Sequence, residues 1–168
     1  MYDVLCIGAA TRDIFIASPH FKVVRDTRHL ARREFPRGEA QCFALGAKIE
    51  IARPVETIGG GAANAAVTFA RQGHRTACFS KVGDDAYGRR VREDLHKERI
   101  SPLLVSGTRY STSYSIILVS PNGERTILDY RGISQHLTAR DIPFGRLSGP
   151  YAYISTGHIA LPVMRRIV

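Results

Sequence analysis

Apolar residues are grouped along this chain in short runs of differing period. Val4 to Ala9 reads VLCIGA, a continuous apolar run that ends in small residues. A strand buried on both faces gives such a run, as in a parallel sheet covered by helices. Asp13-Ile14-Phe15-Ile16-Ala17 follows as a more exposed strand. Residues 18–45 are polar and basic, and their pattern supports only a helical turn over 26–33. Lys48-Ile49-Glu50-Ile51 and Val55-Glu56-Thr57-Ile58 alternate polar with apolar, which predicts two half-buried strands. These pieces are expected to form a small antiparallel sheet beside the main one.

The period then changes. Ala63, Ala66, Val67 and Ala70 recur at helical spacing, with Ala62, Ala65 and Phe69 alongside. So many alanines let a helix lie close to a sheet, and Gly73 supplies its stop. Arg75 to Val82 is the next buried strand. Asp84 and Asp85 offer cap chemistry for a second helix with Tyr87, Val91 and Leu95 as its apolar stripe. This β-α-β-α order predicts an α/β fold with a parallel sheet and right-handed crossovers. Ser115 to Val119 and Thr126 to Tyr130 flank Pro121-Asn122-Gly123 as a hairpin. Thr138 and Asp141 are placed to cap a short turn. Tyr151 to Ser155 reads as a strand and Pro162 to Val168 as a helix. The sequence stops inside LPVMRRIV without a cap or polar tail, so it is expected to be part of a longer domain.

Composition narrows the field. Of 168 residues, 44% are hydrophobic, enough for a core and too many for a disordered chain. There is no run of about 18 apolar residues, so no helical membrane span is predicted. The start carries Asp3 and no basic segment, unlike a secretory signal. The formal net charge is +9. Lys22, Arg25, Arg28, Arg32, Arg33 and Arg37 form the densest basic patch, interrupted by Asp26 and Glu34. It has Phe21 and Phe35 but no stacking repeat, so it reads as a solvated surface, with a nucleic-acid interface as the other reading. Cys6 and Cys78 sit in apolar runs as buried thiols, which points to a reducing, cytoplasmic setting. No CxxC occurs and the six histidines are scattered, so no metal site is visible.

One stretch carries candidate chemistry. Thr57 to Val67 reads TIGGGAANAAV, three glycines running from a strand into a helix. It is not a Walker A loop, which needs Gly-Lys-Ser/Thr at its end. The dinucleotide fingerprint fails as well, because Gly8-Ala9-Ala10-Thr11-Arg12-Asp13 lacks the later glycines. What remains is a helix N-terminus with free backbone N–H groups, and Asn64 one turn in, both donor and acceptor. That set suits a polyol. The other reading is that the glycines only permit close helix–sheet packing.

Three segments together resemble the amino-terminal half of the ribokinase-like carbohydrate kinases, the PfkB family: DVLCIGAATRDIF, GGGAANAAVTFARQG and KVGDDAYGRRVREDL, in the family's order and spacing. ILVSPNGERTILDYRGIS resembles the family's central hairpin more loosely. The resemblance implies a three-layer α/β/α fold with a parallel-type central sheet and a small β-sheet lid, the lid drawn from about 11–17 and 46–58. Residues 18–45 look like an insertion near it. It implies ATP-dependent phosphorylation of a hydroxyl on a sugar or nucleoside. By position, Asp13 matches the carboxylate that holds substrate hydroxyls, and Gly60, Gly61 and Asn64 match the contacts at the helix entry. Thr11 stands where the family often has Asn, and Gly61 replaces a larger residue of several members, which leaves the sugar open.

The family's catalytic base and anion-holding glycines lie in a GxGD motif of the second half. That motif is absent here, as is the Asn-x-x-Glu segment; Gly83-Asp84 belongs to the VGDD turn. The expectation is therefore a substrate-binding portion covering 1–168, with no catalytic residue and no ATP-binding half. ATP and Mg2+ would serve the complete enzyme, and this chain alone would bind neither. It would be inactive and would fold poorly, with an exposed sheet edge. A homodimer through the lid is a further implication. The alternatives kept are a non-catalytic polyol-binding or partner subunit, and a basic nucleic-acid-binding protein.

Overall fold

The computed structural model describes residues 1–33, 35, 37–157 and 159–167. Glu34 and Val168, which figured in the sequence reading, lie outside the described residues. Two compact units form: Met1–Asp13, Thr57–Ser115 and Asp129–Val168 make the first, Ile14–Glu56 and Ile116–Leu128 the second. In chain order the strands are β1 Val4–Ile7, β2 Thr11–Ala17, β3 Lys22–Arg25, β4 Glu39–Cys42, β5 Val55–Gly59, β6 Thr76–Gly83, β7 Ser101–Gly107, β8 Tyr114–Val119, β9 Arg125–Tyr130 and β10 Tyr151–Ile154. The α-helices are α1 Gly61–Arg71, α2 Ala86–Lys97 and α3 Leu161–Ile167.

In the first unit a parallel sheet runs β10-β1-β6-β7. Val4 to Ile7 aligns with Tyr151 to Ile154 on one side and Thr76 to Phe79 on the other. Side chains alternate across a strand, so a central strand feeds two cores. Val4, Cys6 and Cys78 pack with Ala62, Ala63 and Ala66 of α1 and Val91 and Leu95 of α2. Leu5, Ile7, Ala77 and Phe79 pack with Leu137, Ile142 and, from α3, Val163. That is the expected three-layer α/β/α arrangement, and it explains why VLCI and TACF read as unbroken apolar runs.

Helix boundaries follow local chemistry. Asp85, not Asp84, caps α2, its carboxylate accepting from Gly88 N at 2.8 Å. At the end of α1, His74 N donates to Phe69 O at 3.1 Å. Thr138 and Asp141 form a reciprocal capping box on a 3-10 turn over Ala139–Asp141.

The second unit carries parts of β2, β5, β8 and β9, in a four-stranded sheet ordered β5-β2-β8-β9, and the antiparallel pair β3-β4. Here two expectations change. Lys48 to Ile51 is not a strand: Ile51 is exposed, and the segment meets the end of β2 where Ser18 Oγ donates to Glu50 O and Ala52 N to Ala17 O. The strands come instead from the unassigned 18–45 region, where Arg25 pairs with Glu39 across β3 and β4 at 2.8 Å. The helical turn expected over 26–33 is present, with Leu30 N donating to Asp26 O and a 3-10 turn at Ala31–Arg33. β7 was not anticipated. It lies at the sheet edge, where Pro102 is tolerated because an edge strand need not donate on both sides. No helix among the described residues is long and apolar enough to cross a membrane.

Candidate functional site

The site is built at the joint between β5 and α1. Gly60 is the N-cap of α1, with φ +90° and ψ 147° and no side-chain cap. Left-handed φ of this kind suits glycine and strains other residues. A Cβ there would also stand 2.5 Å from Ala9 O. The turn is drawn against the exit of β1, where Ala62 N donates to Ala9 O at 3.2 Å. A Cβ on Gly59 would fall on the Asp13 carboxylate, and one on Gly61 on the hydroxyl of Ser155. The three missing side chains thus make room for the carboxylate from β2, the exit of β1 and the exit of β10. Close packing does use these glycines, and one of the groups packed there is the candidate carboxylate.

Asp13 Oδ1 accepts from Thr11 Oγ1 at 3.0 Å. Asn64 lies in the first turn of α1 and is exposed. Its backbone N–H donates to Gly60 O at 2.9 Å, and its carbonyl accepts from Thr68 Oγ1 at 3.0 Å. Its side-chain amide has no hydrogen-bond partner among the described residues. Asp13 and the glycine turn are therefore brought together, with Asn64 a turn further along the helix.

A cleft of about 100 Å³ in the same unit is lined by Gly8, Ala9, Thr11, Ser113, Arg131 and Ser155, among others, and by none of Asp13, Gly60, Gly61 and Asn64. Its cations are matched by acids. Lys81 Nζ donates to Asp141 Oδ2 at 2.8 Å and to His136 O at 3.0 Å, and Arg131 pairs with Asp129 at 3.3 Å. Burial pushes the Asp141 carboxyl up, but hydrogen bonds from Lys81 and Thr138 outweigh it and hold the pKa below the ordinary value. A second cleft of about 140 Å³, in the second unit, is lined by Arg37, Glu39, Gln41 and Arg125, and contains none of the predicted site residues.

Sequence reasoning missed Ser155 and Lys81. Both lie toward the carboxyl ends of parallel strands, where ligands of open α/β sheets bind, and that rule was available. Ser113 and Arg131 gave no such signal. Elsewhere, burial pushes the Cys6 thiol up to about 11 and the Cys78 thiol up to about 12, while Cys42 is exposed. Among the described residues no group of three or more His, Cys, Asp or Glu is placed to hold a metal ion.

The layered parallel sheet is that of known sugar kinases. The ribokinase of Giardia lamblia shares the fold with a TM-score of 0.74 at 16% identity, over 99% of this chain and 51% of that one. The ribokinase of Arabidopsis thaliana, solved with ribose and ATP, does so with a TM-score of 0.58 at 18% identity, over 78% of this chain and 36% of that one. In sequence, the fructokinase of Vibrio alginolyticus is 35% identical over 69 residues, 40% of this chain and 22% of that protein. A family model described as pfkB family carbohydrate kinase matches residues 3–148, and the chain belongs to that family. It spans about half or less of the length of the proteins it matches here.

Proposed function

We propose that this chain is the acceptor-binding portion of an ATP-dependent sugar or nucleoside kinase, and that Asp13, Gly60, Gly61 and Asn64 hold the substrate. The observation that carries the reading is the Asp13 carboxylate seated on Gly59 at the entry of α1. An ionised carboxylate accepts from two neighbouring hydroxyls at once, which fixes a polyol in orientation and register. The glycines let Asp13, the exit of β1 and Ser155 converge on the entry of α1, whose first-turn N–H groups, apart from those of Ala62 and Asn64, add donors there. Asn64 contributes an amide that can both give and take a hydrogen bond.

Phosphoryl transfer relies on positioning and on a base that takes the hydroxyl proton. In this reading the residues described here do the positioning. The donor is ATP with Mg2+, which would supply the phosphoryl group and neutralise its charge. Among the described residues no group of three or more His, Cys, Asp or Glu is placed to hold a metal ion, and no chemical step is assigned to these residues. The test is calorimetric titration of the chain with D-fructose, D-ribose and adenosine, beside an ATP-coupled turnover assay. Saturable binding of one of them, lost in Asp13→Ala, with no turnover by the chain alone, is expected. Turnover by the chain alone would overturn the assignment of the base and nucleotide site elsewhere.

A binding subunit without chemistry is the second reading. It is supported by the Asp13 carboxylate at the entry of α1 in a sequence that has no GxGD motif. It predicts binding that persists in the native assembly with no phosphorylated product.

A further inference from the structure

We infer that Asp85 is a positioning residue for the substrate site at Asp13, acting through Thr112 and Ser113; the inference rests on the proposed substrate role of Asp13. Asp85 does more than cap α2. Its Oδ2 accepts from Thr112 N at 2.8 Å and its Oδ1 from Thr112 Oγ1 at 2.7 Å. Thr112 Oγ1 in turn accepts from Gly83 N at 2.8 Å. Thr112 is fully buried, so this hydroxyl joins the end of β6, the start of α2 and the 111–113 segment in one closed set of bonds.

The next residue carries the restraint to the cleft. Ser113 O accepts from Arg12 N at 3.0 Å, and so holds the residue beside Asp13. Ser113 Oγ is hydrogen-bonded to the Arg131 carbonyl and lies 2.7 Å from Ser134 Oγ. Ser113, Arg131 and Ser134 all line the cleft. Backbone on both sides of Ser113 thus depends on where Thr112 is held. Gly83 and Gly88 fit the same device. A Cβ on Gly83 would stand 2.5 Å from Thr112 N, and one on Gly88 would meet Gly83 O. The Gly-Asp-Asp-x-x-Gly spacing of residues 83–88 is then a clamp on a loop distant in sequence, as well as a helix start.

The test compares Asp85→Ala, Thr112→Val and Thr112→Ser. Asp85→Ala also uncaps α2, so the Thr112 pair decides. Thr112→Val keeps the volume and removes the hydroxyl. Thr112→Ser keeps the hydroxyl and opens a methyl-sized cavity, which lowers the melting temperature without cutting the clamp. Two readouts are taken: calorimetric affinity for D-fructose and D-ribose, and amide hydrogen exchange at Arg12, which reports the bond to Ser113 without any ligand. Thr112→Val and Asp85→Ala are expected to weaken sugar binding about tenfold or more and to speed Arg12 exchange by about the same factor, with Thr112→Ser within about twofold of the parent. Thr112→Val that retains both parent affinity and parent exchange would overturn the inference, as would a Thr112→Ser defect equal to that of Thr112→Val. If the parent binds neither sugar, the substrate reading of Asp13 fails and the positioning role proposed for Asp85 fails with it. In that case Arg12 exchange still shows whether the clamp itself exists.

Discussion

Replacing Gly60 by alanine separates the two jobs of the glycine turn. At φ +90° an L-residue is strained by roughly 1–3 kcal/mol. The new Cβ would also lie 2.5 Å from Ala9 O and 2.8 Å from Ala9 C, both backbone atoms that cannot rotate away. Moving them shifts the exit of β1, and overpacking of this kind costs about 1–3 kcal/mol. The sum is about 2–6 kcal/mol, a large part of the stability of an ordinary domain. Gly59→Ala is the contrast. Its Cβ would meet the carboxylate of Asp13, the far end of a side chain that can swing aside. Gly59→Ala should therefore lose about 1 kcal/mol or less of stability while displacing the group proposed to hold the sugar. Urea unfolding gives the stabilities and calorimetry the affinities. Gly60→Ala with an unchanged midpoint, or Gly59→Ala with parent sugar affinity, would refute the reasoning.

Other expectations follow from burial and charge. In the folded chain only Cys42 should react promptly with a thiol reagent at neutral pH, while all three cysteines react after unfolding; prompt labelling of Cys6 or Cys78 would contradict the core described. Asp3 is held down to about 2 by hydrogen bonds from Arg75. A carboxyl depressed in the folded state stabilises above its unfolded value, near 3.8, and that stability is lost as pH falls toward 2. Urea midpoints measured across that window should fall less steeply for Asp3→Asn than for the parent. Asp94→Ala removes an acid bonded to the buried Arg12 at 2.5 Å, and should cost about 2 kcal/mol, read from the same unfolding curves.

Much of the first unit could be read from sequence because its signals are local. VLCIG, TACFS and the alanine-rich helix each declare their element within ten residues, and both faces of the strands are covered. What failed depended on distant partners. Lys48 to Ile51 has a strand's alternation, yet alternation makes a strand only where a neighbour offers an open edge. The strands that do form there, β3 and β4, are short and are held by their ladder and by Arg25 with Glu39. β7 was hidden by Pro102 and by the short run that follows it.

The site divides along the same line. Asp13 and the glycines announce themselves by residue type and spacing. Ser155 arrives beside Gly61 only because β10 pairs with β1 across some 140 residues of chain, and Ser113 arrives beside Arg12 because Asp85 holds Thr112. No local pattern encodes either meeting.

The most direct test of the central claim is a nitrogen–proton NMR titration of the folded chain with D-fructose and with D-ribose. The account predicts saturable shifts centred on the amides of Asp13, Gly59, Gly60, Gly61 and the side chain of Asn64. No shift with either sugar, or shifts confined to the second unit, would contradict it.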